Sequence, residues 1–165
     1  MGNFSFQNDV AEIHGDFSQL ENLISKLKEK HYTDVGVFET AKTTDGKQVA
    51  EYGAYNEFGS YTRPDHPPKR SFIRMPIETK QDEIRKDVEK HAQEHIEKGD
   101  VKAVFEDIGI ACESQIQSAF DTRGFGSWKP NADSTIRKKS KGGKTKDTPL
   151  IDDGMLRKAI THRTK

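Results

Sequence analysis

Residues 101–120 carry the broadest apolar face of this chain. Within "VKAVFEDIGIACESQIQSAF" apolar side chains recur every three or four residues, which is the spacing of one face of an α-helix. Asp100, immediately before this run, is a residue type that favours the N-cap position. We therefore predict a central core helix over residues 101–120, against which the other elements must pack.

Few other residues can help that helix to form a core. Only 32% of the 165 residues are hydrophobic and 33% are charged, whereas an ordinary globular domain is roughly 45–50% apolar. The chain is the length of a single domain, which we place over residues 1–165. A core this small predicts that some surface is buried against neighbouring subunits.

The remaining elements follow from periodicity and from chain-breaking residues. The sequence "DVGVFETA" alternates as a strand does, and Asp16 with Gln19 resembles a capping box. The predicted elements are a helix over 16–30, a strand near 34–41, a proline-rich extended segment over 60–74, and a long helix from Pro76 to Lys98. Residues 49–58 are either a strand or a short helix capped by Gly59, and their spacing favours the helix. The fold class is α+β: a small antiparallel sheet packed by the helices near 16–30, 76–98 and 101–121, with a long extended loop.

The composition changes after Arg123. Residues 122–150 hold many lysines and glycines and few apolar residues, so we predict a flexible basic excursion. The segment "LIDDGMLRKAITHRTK" is predicted to be ordered again, with Asp153 capping a short helix.

The net charge and the cysteine content limit the classes of protein to which this chain can belong. Lys+Arg and Asp+Glu both number 27, and this balance argues against a dedicated nucleic-acid binder. Cys112 is the only cysteine, so no intrachain disulfide forms and a reducing compartment is expected. Neither a secretory signal nor a run of about 20 apolar residues occurs, so we expect a soluble protein made in the cytoplasm, without membrane partners.

"HAQEH", residues 91–95, matches the H-x-x-E-H pattern of inverted zinc metallopeptidases. His91 and His95 share a helix face, and Glu94 would act as general base. No third ligand stands out, and the flanking sequence is mostly charged. A zinc-dependent hydrolase is therefore retained as an alternative, and a solvated or subunit-facing helix edge is the favoured interpretation.

The basic run over residues 137–146 suggests a second alternative function, that of a non-specific DNA-associated protein. It has neither interleaved aromatic residues nor a recognition helix, so no sequence readout is expected. The candidate contacts to DNA backbone are Arg137, Lys138, Lys139, Lys141, Lys144 and Lys146.

Three blocks of the sequence resemble the tailed-phage virion-morphogenesis proteins, the neck and tail-completion family. They are "VAEYGAYNEFGS" (residues 49–60), "PPKRSFIRMPIE" (residues 67–78) and "GSWKPNADSTIRKK…KDTPLIDDGMLRKAIT" (residues 126–161). Their order and spacing fit the family, although Ser71 stands where proline is common and Asp153 replaces the usual threonine.

The resemblance implies a structural particle protein at the head–tail junction or the head-proximal tail end. Such a protein has no catalytic residues, metal or cofactor, and it lies in the virion after assembly in the host cytoplasm. It forms a ring homo-oligomer, for instance a hexamer, beside connector, stopper and tail-tube proteins, with DNA passing through the lumen. The predicted subunit contacts are Tyr52, Tyr55, Phe58, Pro67, Pro68, Arg70, Phe72, Arg74 and Trp128. For Trp128, a cap over its own core is an equal alternative.

Overall fold

The computed structural model describes residues 18–43, 46–62, 66–141 and 147–165. The chain divides into two compact units, residues 1–30 and 31–165. In the first unit, helix α1 spans Ser18–Lys28 and leaves Leu20, Ile24 and Leu27 exposed. This confirms most of the helix predicted over 16–30. The proposed cap residue Asp16 lies outside the described residues, and packing of this helix on the sheet stays a prediction.

Across its described residues the second unit is mainly helical and contains one two-stranded antiparallel sheet, which confirms the predicted α+β class. Its elements are β1 (Thr33–Val37), α2 (Val49–Phe58), α3 (Arg74–Thr79), α4 (Gln81–Glu97), α5 (Val101–Asp121), α6 (Asp133–Lys141), α7 (Met155–Lys158) and β2 (Ile160–Thr164).

Helix α5 is the central element, as its apolar face predicted. The Asp100 carboxylate accepts a hydrogen bond from the Ala103 N–H and caps its first turn. Both strands and α3 pack against α5, and α4 runs alongside it. A second, smaller apolar cluster of Ile84, Ala111 and Cys112 joins α4 to α5.

The main core contains three aromatic rings. Phe72 and Phe120 are fully buried and meet edge to face with ring centroids 5.7 Å apart. Trp128 packs in the same manner on Phe120, at 5.5 Å. Because Trp128 and Leu150 both belong to this core, the ends of the 122–150 segment are packed within the subunit rather than being a continuous excursion. Between them α6 is helical, and residues 142–146 lie outside the described part of the chain.

The helix predicted over 76–98 is instead two helices. Residue Lys80 separates α3 from α4, with φ −110° and ψ 25°, outside the helical region. The first of the two begins at Arg74, two residues earlier than predicted. The stop at Gly99 is confirmed, since Gly99 has φ +67° and the Asp100 N–H donates to the His95 carbonyl.

The sheet joins two distant parts of the chain. Thr33 lies opposite Thr164 and Val37 lies opposite Ile160. His162 of β2 lies directly over Gly109 of α5, where an added Cβ would lie 2.4 Å from the imidazole Cδ2. A side chain at position 109 would therefore collide with the His162 imidazole and the Thr33 hydroxyl.

His162 is held between two carboxylates of α5. Its Nδ1 lies 2.8 Å from Glu113 Oε2 and its Nε2 lies 3.0 Å from Glu106 Oε1. Burial by itself lowers the pKa of His162, but the hydrogen bonds to Glu113 and Glu106 more than offset this, and the pKa is raised. The doubly protonated imidazolium is thus the form that joins β2 to α5.

The stability of the protein should fall as the pH rises through the raised pKa of His162. Below the ordinary histidine pKa near 6.5 the folded and unfolded states are both protonated, and the full stabilisation is present. Above the raised pKa one of the two hydrogen bonds loses its donor. Urea unfolding from about pH 6 to pH 9 should show this loss for the natural chain and a flatter profile for His162→Gln. Equal profiles for the two proteins would contradict the assignment.

Candidate subunit interface

Helix α2 places the buried carboxylate of Glu57 against residues 71–74, the turn that follows the prolines. Gly59 ends the helix with φ +77° and brings the chain against Lys69, whose backbone nitrogen would lie 3.1 Å from an added Cβ. Two residues earlier, Glu57 points inward and is only 5% exposed. An acidic residue this deeply buried requires several hydrogen-bond donors.

Those donors come from residues 71–74. Glu57 Oε1 accepts from Ser71 Oγ at 2.6 Å and from the Arg74 N–H at 3.2 Å. Glu57 Oε2 accepts from the N–H groups of Phe72 at 2.6 Å and Ile73 at 2.9 Å. The carboxylate therefore caps the free N–H groups at the start of α3, where negative charge is favoured.

A second set of hydrogen bonds ties residues 70–71 to the segment around Trp128. The indole Nε1 donates to the Ser71 carbonyl at 3.1 Å. The Arg70 guanidinium donates to the carbonyls of Lys129 and Pro130, both at 2.8 Å. Glu57, residues 70–74 and residues 128–130 thus form one connected cluster, which we call the Glu57 cluster.

Three of the predicted contact residues are buried within this cluster. Phe72 is 0% exposed, and Arg70 and Trp128 are each 7% exposed. Of the two alternatives for Trp128, the cap over its own core is the one observed. The Arg70 guanidinium donates to two carbonyls of its own chain, and burial lowers the pKa of Arg70.

The other predicted contact residues remain accessible. Phe58 is 66% exposed and Tyr52 is 43% exposed. Tyr55, Pro67 and Pro68 are half-buried. Arg74 lies at the surface and is 3.7 Å from Glu78. A subunit-contact role for these six residues stays a prediction, and the three buried ones pack within the subunit.

A groove of about 1020 Å³ adjoins this surface. Tyr52, Tyr55 and the Pro67–Pro68 pair line one wall, and Lys138 of α6 lines the other. Burial, then the charge of Asp152, raises the pKa of Tyr52, so its hydroxyl stays protonated. The predicted aromatic contacts and the predicted basic run therefore flank one groove, which the sequence did not indicate.

Helix α6 carries most of the basic run. Arg137, Lys138 and Lys141 are exposed. Lys139 faces inward, where its ammonium donates to the carbonyls of Thr148 and Ile151. The candidate residues Lys144 and Lys146 lie outside the described residues.

The two histidines of "HAQEH" face Asp107 of α5. His95 Nε2 lies 3.1 Å from Asp107 Oδ2, and His91 Nδ1 lies 3.8 Å from the same oxygen. Glu94 pairs instead with Lys98 at the surface. Across the described residues, no group of three or more His, Cys, Asp and Glu side chains is placed to hold a metal ion. Burial raises the pKa of the Cys112 thiol, so this group is a protonated core residue.

Sequence reasoning missed Glu57 and Ser71. The available signal was the acidic residue inside the otherwise apolar and aromatic run "YNEFG", together with a hydroxyl residue where the resembling family has proline. No described helix combines the length and apolar character needed to cross a bilayer. No protein-family model, no curated protein and no solved structure matches this chain.

Proposed function

We propose that this protein is a structural component of a tailed-phage particle, placed at the head–tail junction or at the head-proximal end of the tail. It acts as a ring through which DNA passes, and it completes, terminates or joins the tail. The proposal assigns it no catalytic activity and no cofactor.

The observation that carries this proposal is the convergence of the three sequence blocks in the Glu57 cluster. Glu57 comes from the first block, Ser71 from the second and Trp128 from the third, and they contact one another through hydrogen bonds. Residues that hydrogen-bond to one another in one cluster depend on each other in the fold, which is a reason for them to occur in the same sequence. The resemblance to the neck and tail-completion family therefore involves a connected structural element and not three unrelated fragments.

Exposed apolar side chains also support an assembling subunit. Phe58 and Tyr61 are 66% and 95% exposed and lie at or just beyond the end of α2. Aromatic side chains are enriched at protein–protein interfaces, where they contribute most of the binding energy. A ring uses heterologous contacts, in which one surface of a subunit meets a different surface of the next.

The basic face of α6 fits a lumen that contacts DNA without reading its sequence. Arg137 and Lys141 are exposed on α6, and neither lines the groove beside it. Lysine and arginine in such a position contact phosphates, and their affinity falls steeply with salt.

The Phe58→Ala variant should lose ring formation while keeping its folded stability. Phe58 is mostly exposed, so truncation removes interface area and costs the isolated subunit within about 0.5 kcal/mol. Analytical ultracentrifugation with connector or tail-tube proteins present should show assembly weakened by about tenfold or more. Phe58→Tyr, which keeps the aromatic area, is the matched control and should assemble normally.

Electron microscopy of particles lacking this protein tests the function directly. Full heads beside overlong tails indicate a terminator, and full heads beside normal free tails indicate a joining factor. A strict monomer that never enters particles would overturn the proposal.

A further inference from the structure

The groove between α2 and α6 is larger than most ligand pockets. Its volume of about 1020 Å³ lies at the upper end of the 300–1,000 Å³ that small-molecule sites occupy. Two tyrosines and two prolines give it a stiff, largely apolar wall. Such a wall loses little conformational entropy when an extended polypeptide binds to it.

The charge of the groove selects for acidic partners. Among the described residues that line it, four are lysine or arginine and one, Asp152, is acidic. Within the described residues the Arg70 guanidinium donates to backbone carbonyls and has no carboxylate among its hydrogen-bond partners. Within the described residues Lys138 has no ion-pair partner and is exposed. An occupant that brings both carboxylates and apolar side chains would complement this surface.

One segment of the same chain has this composition. Residues 1–17, "MGNFSFQNDVAEIHGDF", contain the acids Asp9, Glu12 and Asp16, three phenylalanines, and no lysine or arginine. They lie outside the described residues. Fully extended, 17 residues reach about 56 Å, which is enough to cross to an adjacent molecule.

We infer that the groove of one subunit binds the N-terminal segment, residues 1–17, of a second copy. Carboxylates of the segment pair with Lys138 and Lys129, and its phenylalanines pack on the tyrosine and proline wall. The inference goes beyond the proposed function, because it requires only that two copies associate. Nucleic acid is the less suitable occupant, since the groove is mainly apolar and the chain carries no net charge.

Disulfide trapping between two full-length variants tests the inference. Phe6→Cys places a thiol in the segment of one copy, and Thr135→Cys places one at the groove of the other while leaving its lysines intact. Cys112 is buried and is shared by both. After mild oxidation of the mixture, mass mapping should recover the cross-link between positions 6 and 135. The control pairs Phe6→Cys with Glu89→Cys, which is exposed on α4, and should give about tenfold less product.

Charge reversal makes the test specific. Lys138→Glu on the Thr135→Cys chain should lower the cross-link yield by about tenfold, and Glu12→Lys on the other chain should restore much of it. Yield equal to the Glu89→Cys control would overturn the inference. The double variant Phe6→Cys/Thr135→Cys carries both cysteines in one chain. If it forms the cross-link only within a single chain, the inference is also overturned. Protection of Thr135→Cys by an oligonucleotide, but not by a peptide of residues 1–17, would overturn it in favour of nucleic acid.

Discussion

Replacing Glu57 with alanine is expected to lower the free energy of unfolding by about 3–5 kcal/mol. The carboxylate accepts four hydrogen bonds, from the Ser71 hydroxyl and from three backbone N–H groups at the start of α3. Alanine leaves these donors without their partner, and the two that are buried, from Ser71 and Phe72, are costly to leave unpaired. Chemical denaturation followed by circular dichroism measures the loss.

Two further variants make this expectation specific. Glu57→Gln keeps the shape but turns an amide N–H₂ toward two of the donors, so it should lie between alanine and the natural residue. Glu51→Gln changes the same residue type on the same helix, where the carboxylate is exposed and makes a single 3.3 Å hydrogen bond to Tyr55. It should change stability by less than about 0.5 kcal/mol. A Glu57→Ala variant as stable as Glu51→Gln would refute the capping role.

Gly124→Ala is expected to displace Trp128 and to cost at least about 3 kcal/mol. Residue 124 has φ +65°, and a Cβ there would lie 2.3 Å from the indole Cδ1 and Nε1. The ring must then leave its place against Phe120 and lose its hydrogen bond to the Ser71 carbonyl. Because Trp128 is the only tryptophan, its native emission should shift to longer wavelength.

Gly126→Ala separates the steric effect from the backbone effect. Gly126 has φ +81° and no atom within 4 Å of an added Cβ. The strain of a left-handed alanine, about 1–2 kcal/mol, should be its full cost, with unchanged tryptophan emission. If both variants destabilise equally and neither shifts the emission, the contact with Trp128 is not what requires glycine at position 124.

Elements defined by local signals were predictable from the sequence. The α5 helix follows from its periodic apolar residues and from Asp100, and the end of α2 follows from Gly59. In both cases the determining residues lie within a few positions of the feature they set. The two-helix structure of 74–97 was missed because no proline or glycine marks the break at Lys80.

The burial of polar groups was not predictable, because it depends on distant partners. Arg70 has the composition of a surface residue, and it is buried because carbonyls 59 and 60 positions later accept its hydrogen bonds. Glu57 likewise needs donors from 14 to 17 positions away. The groove arises from the approach of α6 to α2, which no local pattern encodes, so only its separate walls could be predicted.

The pairing of β1 with β2 has a kinetic consequence. Thr33 and Thr164 lie 131 positions apart and still contact each other through their hydroxyl groups. Closing so long a loop costs entropy before any contact offsets it, whereas α4 and α5 are neighbours in sequence and pack directly. We therefore expect the helical hairpin to form early in folding and the sheet to close late.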